Sequence, residues 1–178
     1  AKISENSILD AAKLIGKYDP AACAKILKSE ELVDKYEDKI STYLVKLSGV
    51  AMSESDSKMV TELLHVIGDV ERMSDHAVNI VDVAKEMHEK EIDFSAGAKH
   101  DIEVISVCEV LHLAVDALVN ENLETAKKVE PLEQVIDRLK LKIKDNHIRR
   151  LKDGDCTVEF GFILSDLLTN YERLPTTA

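Results

Sequence analysis

A chain of 178 residues with 45% hydrophobic content, 4% aromatics and no Trp can bury a sizeable interior, as one domain or as two small halves sharing a core. Its formal net charge of −11 excludes a nucleic-acid backbone as the main partner, because such binders need a cationic field, and suits metal cations or basic protein surfaces. The sequence reads as having neither a bilayer-spanning apolar run nor a signal peptide, and Cys23, Cys108 and Cys156, odd in number and without C-x-x-C spacing, read as small buried thiols of a reducing cytoplasm.

Apolar residues recurring every three or four positions predict helices throughout, with no strand alternation. The first helix runs from Ser4 to Lys17. Asp19 followed by Pro20 starts the second, Pro20 to Ser48, since Asp caps a helix and Pro tolerates its first position. Gly49 and the polar "SESDS" mark a turn before a third helix from Ser55 to Glu89. The stretch "KEIDFSAGAK", with Gly97, leads to a second set: Ala96 to Glu121, Asn122 to Lys152 and Asp155 to Leu174, with "KDGD" around Gly154 as the last stop. The prolines and glycines fall mostly between these segments. The expectation is an all-α fold, an elongated six-helix bundle of two tandem three-helix repeats, residues 1–92 and 93–178. Because the chain starts at Ala1 without Met, a fragment of something larger is expected.

The repeat is explicit. "DPAACAKILKSEELVDKYEDKI" from Asp19 is echoed 103 positions on by "NLETAKKVEPLEQVIDRLKLKI" from Asn122, and Ile26, Val33, Tyr36 and Ile40 are answered by Val129, Ile136, Leu139 and Ile143. Such a repeat means one helical unit used twice. Both copies carry a carboxylate pair, Glu30 with Asp34 and Glu133 with Asp137. Four residues apart on a helix, two side chains share a face with about 5–6 Å between Cβ atoms, and like charges there repel. Both pairs sit beside the apolar stripe, so a neighbouring helix should compensate them.

The third and sixth helices also correspond, "LLHVIGDVERMSDHA" with "LSDLLTNYERLPTTA". Glu71 and Asp75 form a third pair. Glu71 shares a sector with Leu64, Ile67 and Val78 and so faces the bundle interior, where an ionised carboxylate needs a cation or several donors. Glu172 and Arg173 match Glu71 and Arg72, but Thr176 and Thr177 replace Asp75 and His76, and Pro175 interrupts the helix. Either the second motif has decayed, or the natural helix has been cut and given a short unrelated tail.

These residues carry a resemblance. "GDVERMSDHAVNI" resembles the third-helix signature of PhoU proteins, the phosphate-uptake regulators, with the pattern E-R-x-x-D-H-x-x-N-I, and the tandem three-helix arrangement covers nearly the whole chain. "KISTYLVKLSGVAMSESD" is most similar to the PhoU-type domain at the cytoplasmic end of bacterial sodium/phosphate cotransporters, through its I-x-x-Y-L stretch. The resemblance implies a soluble, cytoplasmic, non-catalytic domain of spectrin-like topology, lying at the inner face of the cell membrane when attached to a transporter. Its implied partners are a membrane transporter domain, of the same polypeptide, or phosphate-signalling proteins, with a homo-oligomer as a further expectation. In the family, E(or D)-x-x-x-D motifs hold multinuclear iron or zinc clusters on the bundle surface. This implies metal ligands at Glu30, Asp34, Glu71, Asp75, Glu133, Asp137 and Glu172, the last a remnant of a fourth pair, while Thr176 leaves one of two pseudo-symmetric sites incomplete. Clustered carboxylates suit hard cations or ferric iron better than soft, thiolate-seeking metals. No essential cofactor is implied.

Other readings stay open. "ELLH", Glu62 to His65, and "EVLH", Glu109 to His112, form the Glu-x-x-His set of ferritin-like di-iron proteins, although they fall on consecutive helices where that fold alternates, and neither is echoed in the repeat. A metal-free interaction scaffold would instead pair its acids with Lys or Arg on adjacent helices. His65, Asp69, Arg72, His76 and Asn79 line a second polar face, either a proton sensor or a solvated or inter-helix hydrogen-bonding strip. Arg138, Lys140, Lys142, Lys144, Arg149, Arg150 and Lys152 gather on one helix, as a solvated face or as a patch for an anionic membrane or partner. No base-and-orienter arrangement or Gly-rich phosphate loop accompanies a nucleophile, so no enzyme is expected.

Overall fold

A computed structural model describes residues 1–92, 94, 97, 98, 101 and 123–176, and beyond residue 122 the side chains of residues 131 and 134–170. Five helices lie among them: α1, Lys2–Gly16; α2, Pro20–Ser48; α3, Glu54–Glu89; α4, Leu123–Asp153; and α5, Val158–Thr176. The chain is all-α. The helix expected over 96–121 falls, apart from its first positions, outside the described residues.

Local chemistry sets the ends. The Asp19 carboxylate accepts the Ala21 N–H at 2.9 Å with Pro20 opening α2, and at the start of α3 the Ser53 hydroxyl accepts the Asp56 N–H at 3.1 Å while donating to its carboxylate at 2.7 Å, a reciprocal cap. α3 and α4 stop by the same device. At α3, Glu91 (φ 52) donates to the His88 carbonyl and Ile92 to that of Met87. At α4, Gly154 (φ 79) donates to Leu151 and Asp155 to Arg150. This paired-bond stop needs one left-handed residue, which glycine supplies without steric cost and glutamate does not.

α1, α2 and α3 pack against one another, and α5 lies against both α4 and α3. The α1–α3 contact is made close by small residues: Ser4, Ser7 and Ala11 are buried on α1, Ser74 and Ala77 on α3, and the Ser4 hydroxyl donates to the Val70 carbonyl at 3.0 Å. One core joins Ile8, Ile26, Met73 and Ile80 of the first half to Ile143, Leu164 and Leu167 of the second. Between α3 and α5, His76 Nδ1 bonds Asn170 Oδ1 at 3.1 Å and Asn79 donates to the same oxygen at 3.4 Å. Of the polar face on α3, His76, which is buried, and Asn79 therefore make inter-helix hydrogen bonds, while His65 is exposed and Asp69 and Arg72 pair with each other within α3.

Four expectations need correction. Tyr36 and Ile40, placed on the apolar stripe of α2, are 53% and 40% exposed, lining an apolar groove with Ala1, Ile3 and Val66. α5 runs through Pro175 to Thr176 rather than being interrupted there, and Pro131 lies inside α4, within the span expected for that helix; a proline removes one N–H bond of a helix and the surrounding turns persist. Arg150 is no solvated cation, its side chain being 15% exposed and paired with Asp101 at 2.8 Å. Glu71 does not face the core centre, which belongs to Met73, Ala77 and Ile80, but sits half-buried at its edge.

Glu91→Gly is expected to stabilise the protein by about 0.5–1 kcal/mol, the left-handed penalty less the added chain entropy. Urea denaturation checks this as a raised midpoint with an unchanged slope.

Candidate functional site

The carboxylates of the first half come together. Glu30 and Asp34 lie one turn apart on α2, Glu71 and Asp75 one turn apart on the neighbouring α3. Burial, then the charges of Asp75, Asp34 and Glu31, hold the Glu30 carboxyl above its usual range. Glu71 is pushed up likewise, by burial first, then by the charge of Asp75 and a hydrogen bond to it, then by the charges of Glu37 and Asp34. Glu30 and Glu71 are half-buried while Asp34 and Asp75 face water. The nearby cations are committed elsewhere: Lys35 to Glu31 at 3.7 Å and Arg72 to Asp69 at 3.2 Å. Among the described residues no ion pair reaches Glu30, Asp34, Glu71 or Asp75.

The second copy is electrostatically different. Asp137 is exposed on α4, and Lys140, three residues on, is pushed down by burial and by the Lys144 charge, with the Asp137 charge opposing them. At the repeat offset, Lys140 stands where Glu37 stands in the first half. The first pair thus gains another carboxylate and the second gains a cation. The side chains of Glu133 and Glu172 lie outside the described residues.

Oxygen-only donors under mutual repulsion fit a hard cation, which takes carboxylate ligands at six or more positions or through retained water. Among the described residues, however, no three His, Cys, Asp or Glu side chains are already gathered to hold one. The Glu-x-x-His reading gains nothing here: Glu62 pairs with Lys58 at 3.7 Å, both exposed, His65 is exposed, and Glu109 and His112 lie outside the described residues.

Sequence reasoning overlooked two features. Glu37 belongs to the acidic cluster, and its signal was present, since it follows Asp34 by three positions and so shares its face. His147, Arg150 and Cys156 gather between α4 and α5; no spacing rule announces them, because the turn at Gly154 brings Cys156 back to His147.

The chain belongs to the PhoU domain family, which it matches over residues 1–84 and 106–174. It is similar to the phosphate-specific transport system accessory protein PhoU homolog 1 of Thermotoga maritima, 21% identical over 172 residues that span 94% of this chain and 73% of that protein. The PhoU homolog of Clostridium acetobutylicum is 25% identical over 148 residues, 77% of this chain and 63% of its own length. That of Aquifex aeolicus is 21% identical over 181 residues, 97% and 78%.

A carboxyl whose folded pKa is raised binds its proton more tightly in the folded state, so its charge destabilises the fold above that pKa and the cost is relieved as pH falls through it. In metal-free protein Glu71→Gln is therefore expected to stabilise the fold by about 0.5 kcal/mol at pH 7, with the gain shrinking as the pH falls through the raised pKa toward the ordinary carboxylate value. Urea titrations at pH 7 and pH 4 check it; an equal gain at both would mean that charge is not the cause.

Proposed function

We propose that the chain is a non-catalytic regulatory domain of phosphate uptake, lying at the cytoplasmic face of the membrane as part of a sodium/phosphate cotransporter, and that its first-half carboxylates hold an iron or zinc ion. Membership of the PhoU family and relatives named as accessory proteins of phosphate-specific transport systems support the regulatory role. The likeness of the I-x-x-Y-L segment on α2 to the cotransporter-attached domains supports the attachment. No helix of the described residues is long and apolar enough to cross a membrane.

The observation that carries the metal reading is the set Glu30, Asp34, Glu71 and Asp75, drawn from two helices and held together without a described cation. A bound ion would supply the missing positive charge and tie α2 to α3. Asp137, with Lys140 beside it, is the weaker candidate, and Glu133 and Glu172 would join only a second centre.

Protein purified without chelator is expected to carry iron or zinc above background, and chelation to lower its melting temperature, because an ion bound only by the folded state stabilises it. The double substitution Glu71→Gln with Asp75→Asn should remove both the metal and the chelator effect. A metal-free protein whose melting ignores chelator and added metal leaves the scaffold reading in its place. Sequencing the gene upstream of Ala1 tests the attachment: repeated apolar spans there are expected, and a start codon immediately before Ala1 would contradict it.

A further inference from the structure

Where α4 stops and α5 begins, a second polar cluster is built by the helix stop itself. The bond from the Asp155 N–H to the Arg150 carbonyl, 2.9 Å, closes the turn around Gly154, and the chain returns so that Cys156 Sγ lies 3.3 Å from His147 Nδ1, one turn before Arg150. Burial pushes the Cys156 thiol up, and burial with the Arg150 charge pushes the His147 imidazole down, so both are neutral at neutral pH. The thiol reaches both Nδ1, at 3.3 Å, and the Thr157 carbonyl, at 3.8 Å; with the thiol donating to Nδ1, the imidazole carries its proton on Nε2.

That Nε2 is buried without a hydrogen-bond partner, and so are Nε and Nη2 of Arg150. Only Nη1 of the guanidinium is engaged, donating to Asp101 at 2.8 Å. A buried donor left unpaired is costly, more so on a charged group. Nε and Nη2 form one edge of the guanidinium, the edge that grips two oxygens of a carboxylate or phosphate side by side. The unpaired edge of Arg150 holds only donors, so its missing partner is an acceptor.

There is room for it. A cavity of about 180 Å³ is lined by His147, Arg150, Asp155 and Cys156 together with Phe94 and Phe160, several times the ~30 Å³ share of one water. Gly161 keeps the flank of the imidazole open: a Cβ there would lie 2.9 Å from His147 Nε2. The two carboxylates select the ion. Asp101 already balances Arg150, and Asp155 would repel an oxyanion without protons but can accept a hydrogen bond from one that keeps a P–OH.

The geometry points to a site for one inorganic phosphate ion between α4 and α5, held by the Nε/Nη2 edge of Arg150, with His147 Nε2 as a further donor and Asp155 taking the phosphate proton. The donor set alone specifies an oxyanion; the choice of phosphate rests also on the phosphate-uptake reading. The cavity is partly open to solvent and large enough for the free ion. Occupancy would tie α4 to α5, and α5 packs on α3, so phosphate would tighten the contact between the two halves.

Calorimetric titration of the whole chain with inorganic phosphate, at constant ionic strength in chloride, is expected to give one saturable site, a raised melting temperature, and sulfate binding at least tenfold weaker. Arg150→Lys keeps a cation for Asp101 but lacks the two-donor edge, and Gly161→Ala puts a methyl group against Nε2. Each should fold, by circular dichroism, and weaken phosphate at least about tenfold, the loss of one charge-assisted hydrogen bond. No saturable phosphate binding by the unaltered chain, or unchanged affinity in both variants, overturns the site. Equal affinity for sulfate and phosphate overturns the assignment of phosphate and the role of Asp155. Absence of iron or zinc from a protein that still binds phosphate would overturn the metal reading alone.

Discussion

α3 is the element to which the rest of the bundle is referred. Thirty-six residues long, about 54 Å at 1.5 Å per residue, it is packed by α1, α2 and α5 at once. Its signature segment does not form one site, because 3.6 residues per turn send neighbouring side chains to different faces. Glu71 and Asp75 turn toward the acids of α2. Met73, Ala77 and Ile80 enter the core with α1. His76 and Asn79 reach Asn170 on α5, and Arg72 stays at the surface with Asp69. A single run of residues thus closes two interfaces and leaves a charged edge, and any ion that relieved that edge would bear on the helix that both halves share.

The two repeats have diverged where charge and packing matter most. Ile40 is 40% exposed while Ile143, its counterpart 103 positions on, is 2% exposed. Glu37 adds to the repulsion in the first half, whereas Lys140 moderates it in the second. The first half consequently offers oxygen donors without a described cation, and the second offers the unpaired N–H edge of Arg150. The two donor sets are opposite in chemistry and suit ligands of opposite charge.

Much of the fold was legible because it is local. Asp19–Pro20, Ser53 and Gly154 act within one turn of themselves, and the helices they bound lie within three residues of expectation. Pro175 was misread as an interruption: α5 runs through it to Thr176, since a proline removes one N–H bond and leaves the rest of the helix ladder in place. At the site, pairing at i and i+4 was readable from spacing, and so was the shared face of Glu30 and Asp34. Which pairs meet, and what else joins them, was not.

Helical class, tandem repetition and the carboxylate pairs are properties of the sequence by itself, since each depends on contacts within about four residues along the chain. Only the tertiary structure decided that α2 and α3 bring two like-charged pairs together without a described cation, that His76 is spent on holding α5, and that a solvated-looking arginine is buried with one edge unpaired. Those outcomes turn on the depth and angle at which helices far apart in sequence meet, and the free energy of a charge depends on that local solvation far more than on its position in the chain.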